Sequence, residues 1–400
     1  MCLYGTIVSQ RQWSATMTTK HWMAATLALA GLAASGHAQQ VTVFAQGLQN
    51  PAKVILAGRG ALLVAETGPA LNSGRISVID AGGRVQPLIE GLPSGPAAPD
   101  GTLDGPSGLA LDGSVLFILN GEGNTHVAAQ APGTIVPNPA GRSSPIYSSI
   151  LKATLSRDVD QIREPFILAR ADHDTLADGD PVELTNGAGD KAVIELLADF
   201  RDNVPDTRMI YRNSHPYGMT LHPSFPGWLF VADAGMNTVW KVEIATGRAR
   251  TLVRFPNIAT GIPGRPFAEA VPTSVQPYGD QLLVTQLSGV PFVPGTARVS
   301  IVDPATGAIG PFIPWGSTAM DIAWEERPGA SRPTFYLLEF SAALGQSPPA
   351  PGRIRRWVNL EEDLFVPALR TPTSMALDSS SRALYVTNRS EGTILKVTLP

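Results

Sequence analysis

The chain has 400 residues, a formal net charge of −4 and a single cysteine, Cys2. Only 16% of its residues are charged and 44% are hydrophobic, a composition that excludes a coiled coil or a disordered chain. The slight acidic excess gives no electrostatic basis for binding nucleic acid or an anionic membrane. Because the one cysteine stands at the start, disulfides, a thiolate nucleophile and Cys metal ligands are excluded from the folded part.

The first predicted element is a signal peptide that covers residues 1–38. Lys20 precedes an apolar stretch at 23–34, and small residues then fit signal peptidase cleavage after Ala38. An internal methionine begins a more typical signal peptide, which makes residues 1–16 a candidate for a mis-assigned start. No later run approaches the roughly 20 apolar residues that span a bilayer. We therefore expect export to the periplasm or the medium, with no integral membrane segment in the mature chain.

Residues 39–400 are predicted to form one domain, built from a repeat of about 55 residues. Each repeat opens with a turn and continues with apolar, β-rich runs such as GLALD, LFILN and GRISVID. Three strands recur in each unit, and a fourth, weaker strand follows in several units, as in the blade of a β-propeller. The opening turns contain Pro51, Pro106, Pro216, Pro272, Ala319 and Pro372.

The ring of blades is expected to close through the start of the mature chain. The last unit stops after its third strand, GTILKV, whereas an orphan strand, VTVFAQGL, begins at Val41. Pairing of the two supplies the missing fourth strand and removes two free sheet edges. The predicted fold is therefore all-β, a six-bladed β-propeller closed by pairing of its N-terminal strand with the last blade.

One interval of the repeat is doubled, which indicates an insertion around residues 121–212. Val193, Leu196, Leu197 and Phe200 stand at helical spacing, so we expect one short amphipathic helix near the end of the insertion. A seventh blade within the insertion is the alternative. It is disfavoured because the turn–strand–strand signature is missing there.

Six polar residues occupy one register, at the end of the second strand of each blade. In a propeller this position lies on the same face as the start of the first strand; we call this face the rim. The insertion and two long loops, 288–297 and 341–352, also emerge at the rim, and long loops on a rigid scaffold are where binding residues concentrate. The six residues are Glu66, Asn120, Asp233, Gln286, Glu339 and Asn388.

Two interpretations of these six residues stay open. In the first, each side chain bonds to backbone N–H groups of the adjoining turn, as Asp and Asn commonly do. In the second, Glu66, Asp233 and Glu339, joined by Asn120 or Asn388, supply the oxygen ligands that Ca²⁺ or Mg²⁺ takes. The second interpretation requires that the side chains converge.

Three further residues are candidates for the site. His215 begins the third blade at the rim and is a weak candidate for a catalytic base. Its neighbour Tyr217 is expected to pack under a loop or to contact a ligand. Asp321 stands where other blades carry Thr, Ser or Gly, so it either lines the channel or satisfies local backbone amides.

Three segments of the chain match a family pattern. They are NSHPYG at 213–218, VADAGMN at 231–237 and LSGVPFVPGTARV at 287–299. They resemble DSNPYG, VADAGxN and LTGFPFPxGxARV of the ScyD/ScyE family. The resemblance extends over nearly the whole mature chain and implies an exported, NHL-like six-bladed propeller. It implies no established molecular activity. The chain departs from the pattern at His215, Ser288 and Val290.

Three functions are compatible with the sequence. The first is a binding or scaffold propeller that recognises a small molecule, a glycan or a protein through the rim, since no catalytic motif is present. The second is a metal-dependent lactonase or hydrolase, although Asn50-Pro51-Ala52 replaces the Glu-Gly-Pro of gluconolactonase-type propellers. The third is a lyase or a quinone-dependent sugar dehydrogenase, which requires a His base at the channel mouth.

Overall fold

The computed structural model describes residues 39–130, 134–200, 212–327, 329–359 and 361–400. These residues form six antiparallel sheets whose first strands neighbour one another around a closed ring. The prediction of an all-β, six-bladed propeller is confirmed. The expected signal peptide, residues 1–38, lies outside the described residues. Within the described ranges, no helix is long and apolar enough to cross a membrane.

The first three blades are built in chain order from the inner strand outwards. Blade one contains Pro51–Leu56, Leu62–Glu66, Gly74–Ile79 and Val85–Leu92. Blade two contains Pro106–Asp112, Val115–Asn120, Ser149–Leu155 and Lys191–Asp199. Blade three contains Pro216–Leu221, Trp228–Asp233, Thr238–Glu243 and Ala249–Arg254.

The other three blades follow the same plan. Blade four contains Pro272–Tyr278, Gln281–Gln286, Ala297–Val302 and Ile309–Gly316. Blade five contains Ala319–Glu325, Thr334–Glu339, Gly352–Val358 and Glu361–Leu369. Blade six contains Met375–Asp378, Ala383–Asn388 and Thr393–Thr398, and its fourth strand is the N-terminal Val41–Gln46.

The ring is closed by this N-terminal strand. Val41 lies opposite Val397 and Gln46 opposite Thr393, with a bulge between Val43 and Ala45. The strand is antiparallel to Thr393–Thr398. Two segments that are far apart in the sequence thus complete one blade. The edge of Thr393–Thr398 is therefore covered, and Val41–Gln46 becomes the outer strand of blade six.

Hydrophobic clusters fill the six junctions between neighbouring blades. The second strands supply much of each cluster because both of their faces are covered; in Leu62–Glu66 every residue is buried. Burial on both faces explains why these strands read as continuous apolar runs rather than as alternating ones. Each blade is consequently held by its two neighbours and not by a core of its own.

The expected insertion at 121–212 needs correction, because it contains the outer half of blade two. Ser149–Leu155 and Lys191–Asp199 are the third and fourth strands of that blade. The described residues 121–130 and 134–148 emerge at the rim, where they carry a small hairpin of His126–Ala128 and Ile135–Pro137. Two further hairpins at the rim pair Gly95–Pro96 with Leu103–Asp104 and Ile258–Ile262 with Arg265–Ala268.

The prediction of one short helix in the insertion is confirmed, but its expected position near the end of the insertion is wrong, since Lys191–Asp199 is a strand. Ile150 lies opposite Ala198 and Leu151 opposite Leu196, so Leu197 is the extra residue of a bulge. A bulge shifts the two-residue alternation by one position, and the apolar residues on either side then fall at helical spacing.

A short helix is present earlier in the chain, at Arg170–Ala177. It belongs to a segment, residues 156–190, that we call the strap, because it runs along the outer edges of two blades. The strap begins with a 3₁₀ turn at Val159–Gln161. Phe166–Ile167 pairs in parallel with the fourth strand of blade one, and Val182–Thr185 pairs with the fourth strand of blade two. Both sheets thereby gain a fifth strand.

Candidate ligand site at the rim

The six polar residues at the second-strand ends are all buried, with exposed fractions between 0 and 3%. Five of them bond to the third strand of their own blade, and Asn388 bonds to Glu391 of the 3₁₀ turn Arg389–Glu391. The third-strand partners are Arg75 and Ser77 for Glu66, Ser149 for Asn120, Trp240 for Asp233, Ser300 for Gln286, and Arg353 and Arg355 for Glu339.

The three carboxylates of the suggested cation site are in separate blades and are partnered there. Glu66 and Glu339 each face arginine side chains, Arg75 for the first and Arg353 and Arg355 for the second. Asp233 accepts hydrogen bonds from the backbone N–H groups of His215 and Met236 at 2.9 and 3.0 Å. Among the described residues, no group of three or more His, Cys, Asp or Glu is arranged to hold a metal ion.

A different set of ionisable groups meets at the rim between blades two and three. His215 Nε2 lies 3.5 Å from Asp104 Oδ2, and His215 Nδ1 lies 3.4 Å from Glu122 Oε1. Asp104 ends the rim hairpin before blade two, and Glu122 follows the second strand of that blade. The His215 side chain is 26% exposed, whereas the two carboxylates are nearly buried. We call these three residues the rim cluster.

Glycines allow the close approach of these segments. A Cβ at Gly121 would collide with the Asp104 carboxylate, and Gly123 has a positive φ of 50°. The Gly123 N–H donates to Asp104 Oδ2 at 3.2 Å, and the Gly121 N–H donates to the carbonyl of Gly105. The backbone after the second strand therefore folds directly over the carboxylate of Asp104.

Electrostatics within the rim cluster favour a protonated histidine. Burial alone would lower the pKa of His215, but the carboxylates of Asp104 and Glu122 outweigh burial and raise that pKa to about 10. Burial raises the pKa of Glu122 to about 8. Burial also acts against ionisation of Asp104, yet the positive charge of His215 keeps the pKa of Asp104 below its usual value. At neutral pH the cluster therefore contains an imidazolium beside an ionised Asp104.

Tyr217 and Arg389 border the rim cluster. The Tyr217 ring meets the His215 ring edge-on at 5.9 Å and packs against the hydrophobic cluster between blades five and six. Burial raises the pKa of Tyr217 to about 12, so its hydroxyl stays neutral. Arg389 donates to the carbonyl of Leu103 and to Thr67 Oγ1. These contacts place the Tyr217 phenol and the Arg389 guanidinium next to the rim cluster.

Asp321 lies deeper in the channel and binds more than local amides. Its carboxylate pairs with Lys53 Nζ at 2.8 Å and accepts hydrogen bonds from Ser274 Oγ at 2.6 Å and Ser374 Oγ at 2.9 Å. Lys53, Ser274 and Asp321 belong to the inner strands of blades one, four and five. Ser374 directly precedes the inner strand of blade six. Burial opposes ionisation of Asp321, but Lys53 keeps its pKa low. The pair is therefore a buried ion pair that links the inner strands of blades one and five.

Sequence reasoning singled out His215 and missed Asp104, Glu122 and Lys53. The two acids lie in rim segments outside the repeat, so they have no counterpart in the other blades. Lys53 offered one signal, since a lysine interrupts the apolar inner strand PAKVIL. A buried lysine in such a strand requires a carboxylate partner nearby.

These features define a six-bladed β-propeller with an acidic and histidine-containing cluster at one rim. No family model matches the chain, and no curated protein matches it. An auxiliary nutrient binding protein from Bacteroides thetaiotaomicron VPI-5482 is similar in structure, with a TM-score of 0.50 and 12% identity over 90% of this chain and 76% of that chain.

Two other solved structures are similar over 90% of this chain, both at 13% identity. One is a glucose dehydrogenase, with a TM-score of 0.49 and 100% of its chain covered. The other is a streptogramin B lyase, with a TM-score of 0.46 and 98% of its chain covered. At such low identity, structural likeness does not extend beyond the fold.

Proposed function

We propose that this protein binds a small polyhydroxylated ligand, a sugar or a short glycan, at the rim through His215, Asp104 and Glu122. The supporting observation is the rim cluster itself, in which a partly exposed imidazolium lies within 3.5 Å of the carboxyl groups of Asp104 and Glu122. Hydroxyl groups both donate and accept hydrogen bonds, so they match a site that offers acceptors and a cationic donor side by side.

The surrounding rim supports a binding role. Three hairpins and the loops 288–297 and 341–352 emerge on the face that carries the rim cluster. Such loops are longer than strand connections require, and they enclose the mouth of a rigid ring.

Calorimetric titration with mono- and oligosaccharides tests this proposal. The wild-type protein should bind at least one sugar saturably, and Glu122→Gln or His215→Gln should weaken that binding about tenfold, because the first replaces the carboxyl hydroxyl and the second removes the cationic donor. Asp280→Asn, at an exposed turn away from the rim, is the matched control. Equal affinity in all variants, or no binding to any sugar, would contradict the proposal.

A second function at the same cluster is acid–base catalysis on such a ligand. A pKa of about 8 leaves Glu122 protonated at neutral pH, within reach of His215. Since His215 already carries its proton, the cluster suits a general acid better than the base expected of His215 alone. Activity should then fall as the pH rises through about 8, and Glu122→Gln should reduce it about 100-fold. Activity that grows with pH would exclude this role.

Export and ScyD/ScyE membership remain part of the proposal. The predicted signal peptide implies that the ligand is met in the periplasm or the medium. N-terminal sequencing of the protein recovered from an expressing bacterium should begin after Ala38. Retention of residues 1–38 in the purified protein would contradict this location.

A further inference from the structure

A separate cavity of about 330 Å³ lies between blades four and five. Its walls include Tyr278 at the end of an inner strand, Phe312 and Trp315 on the fourth strand of blade four, and Phe335 and Trp357 of blade five. The positions of Tyr278, Phe335 and Trp357 at strand ends place the cavity towards the face opposite the rim. Cavities that hold small ligands have this volume and this apolar lining.

The aromatic walls are fixed by their neighbours. The rings of Tyr278, Phe312 and Phe335 meet one another edge-on, with centroids 5.0 to 5.6 Å apart. Trp315 donates its indole N–H to Glu362 Oε2 at 3.2 Å, which orients a ring that is 51% exposed. Arg355 donates to the Trp315 carbonyl and lies over the Trp357 ring at 4.8 Å. A ligand would meet a preorganised slot, which reduces the entropy lost on binding.

Two polar groups of the lining are unused within the part of the chain that the structure describes. The Tyr278 hydroxyl makes no hydrogen bond to another described residue. The guanidinium of Arg332 makes neither a hydrogen bond nor an ion pair to one. Arg332 is exposed and borders the cavity together with Pro333. An unpaired guanidinium beside an apolar slot is complementary to a single anionic group on an otherwise apolar molecule.

We propose that this cavity binds a flat aromatic ring that carries one carboxylate. The ring would stack between the aromatic walls, with the carboxylate on Arg332 and near the Tyr278 hydroxyl. A sugar fits less well, because it would need several hydrogen-bond partners and only these two side chains offer them. This site is distinct from the rim and does not depend on the function proposed there.

Calorimetric titration with 1-naphthoate, beside the neutral 1-naphthamide, tests the proposal. The wild-type protein should bind one 1-naphthoate, about fivefold more tightly than 1-naphthamide, as expected for one exposed ion pair. Trp315→Ala should weaken both ligands about tenfold through lost stacking. Arg332→Gln should abolish the preference for the acid and leave 1-naphthamide binding unchanged. Both substitutions are at exposed positions, so the fold should persist.

Matched controls are Phe267→Ala, an exposed aromatic side chain at the rim, and Arg254→Gln, an exposed arginine of blade three. Neither should change the affinity for 1-naphthoate. Absence of saturable binding, equal affinity for the acid and the amide, or weakening by the controls to the same extent as by Trp315→Ala would overturn the proposal. Preferential binding of cellobiose that Trp315→Ala removes would assign the cavity to a sugar instead.

Discussion

At the scale of single residues, the charge of His215 is set by its two acidic neighbours rather than by its own chemistry. The imidazolium stabilises the folded state because it faces Asp104 and Glu122 at 3.5 and 3.4 Å. Removal of the proton would leave two buried carboxyl groups without a cation. Protonation of this residue and stability of the fold are therefore linked.

The stability of the protein should depend on pH through this cluster. The raised folded-state pKa of about 10 for His215 gives a stabilisation that is complete below its ordinary pKa of 6.5 and lost as the pH rises to about 10. The raised pKa of about 8 for Glu122 gives one that is complete below its ordinary pKa of 4.5 and lost as the pH rises to about 8. The unfolding free energy should decline by on the order of 5 kcal/mol between pH 6.5 and 10, because each unit of pKa shift corresponds to about 1.4 kcal/mol.

Urea denaturation at a series of pH values measures this decline. The double variant His215→Gln/Glu122→Gln lacks both titrations and should show a flatter profile over the same range. Parallel profiles of the two proteins would show that the cluster does not govern this pH dependence.

Lys53 and Asp321 form a buried ion pair whose two partners depend on each other. Asp321→Asn leaves the Lys53 ammonium buried without a counter-charge and should cost about 3–5 kcal/mol of unfolding free energy. Lys53→Met combined with Asp321→Asn removes the stranded charge and keeps one acceptor oxygen for the Ser274 or Ser374 hydroxyl, while the amide nitrogen can donate to the other hydroxyl. The double variant should recover more than half of the loss in a denaturation experiment. Additive losses would show that the two residues are not coupled.

At the scale of elements, the strap depends on a glycine of blade one. Gly91 has a φ of 80°, and a Cβ there would collide with the carbonyl oxygen of Leu168 in the strap. The Leu168 N–H bonds to the carbonyl of Glu90, and His173 bonds to that of Gly91 at 2.8 Å. A side chain at residue 91 must therefore push the strap away from blade one.

Gly91→Ala should detach the strap, seen by hydrogen exchange as lost protection around residues 166–173. Gly58→Ala is the matched control, because Gly58 has the same φ of 80° with no atom near the added Cβ. Both variants carry the backbone strain of a positive φ, about 1 kcal/mol, and only the first carries the collision. Equal exchange in both variants would mean that the strap does not rest on this contact.

The strap and the bulge are two structural features of the blades that the sequence did not predict. The inner three strands of each blade repeat closely enough to be predicted, because both faces of the second strand must be apolar. The helix expected at Val193–Phe200 was wrong because the bulge at Leu197 imitates a helical period. The strap strands have only two to four residues each, and they exist because neighbouring blades offer free edges.

At the scale of the whole molecule, closure joins two segments that are far apart in the sequence, Val41–Gln46 and Thr393–Thr398. Val41–Gln46 supplies the outer strand of blade six, and its Ala45 lies in the hydrophobic cluster shared with blade one. Removal of this strand exposes the edge of Thr393–Thr398 and opens that cluster.

A chain that starts at residue 47 should therefore unfold at a lower urea concentration than one that starts at residue 39. It should also form aggregates through the free edge. Light scattering and denaturation curves of the two chains provide the comparison. Identical curves would show that ring closure contributes nothing to stability.

The rim cluster is a product of the ring and not of any one blade. Asp104 and Glu122 come from segments that flank the first two strands of blade two, whereas His215 opens blade three. A repeat analysis can align positions that recur in every blade, such as the six buried second-strand ends. It cannot reveal a contact between segments that occur once, because their distance depends on how two blades pack.

Histidine NMR tests the arrangement at the rim most directly. Labelled imidazole signals of His215, assigned by comparison with His215→Gln, report the protonation of both ring nitrogens as the pH is raised. We predict that His215 remains an imidazolium at pH 8 and loses its proton near pH 10. A neutral imidazole at pH 8, with a pKa near the ordinary 6.5, would show that Asp104 and Glu122 do not enclose it and would contradict the site.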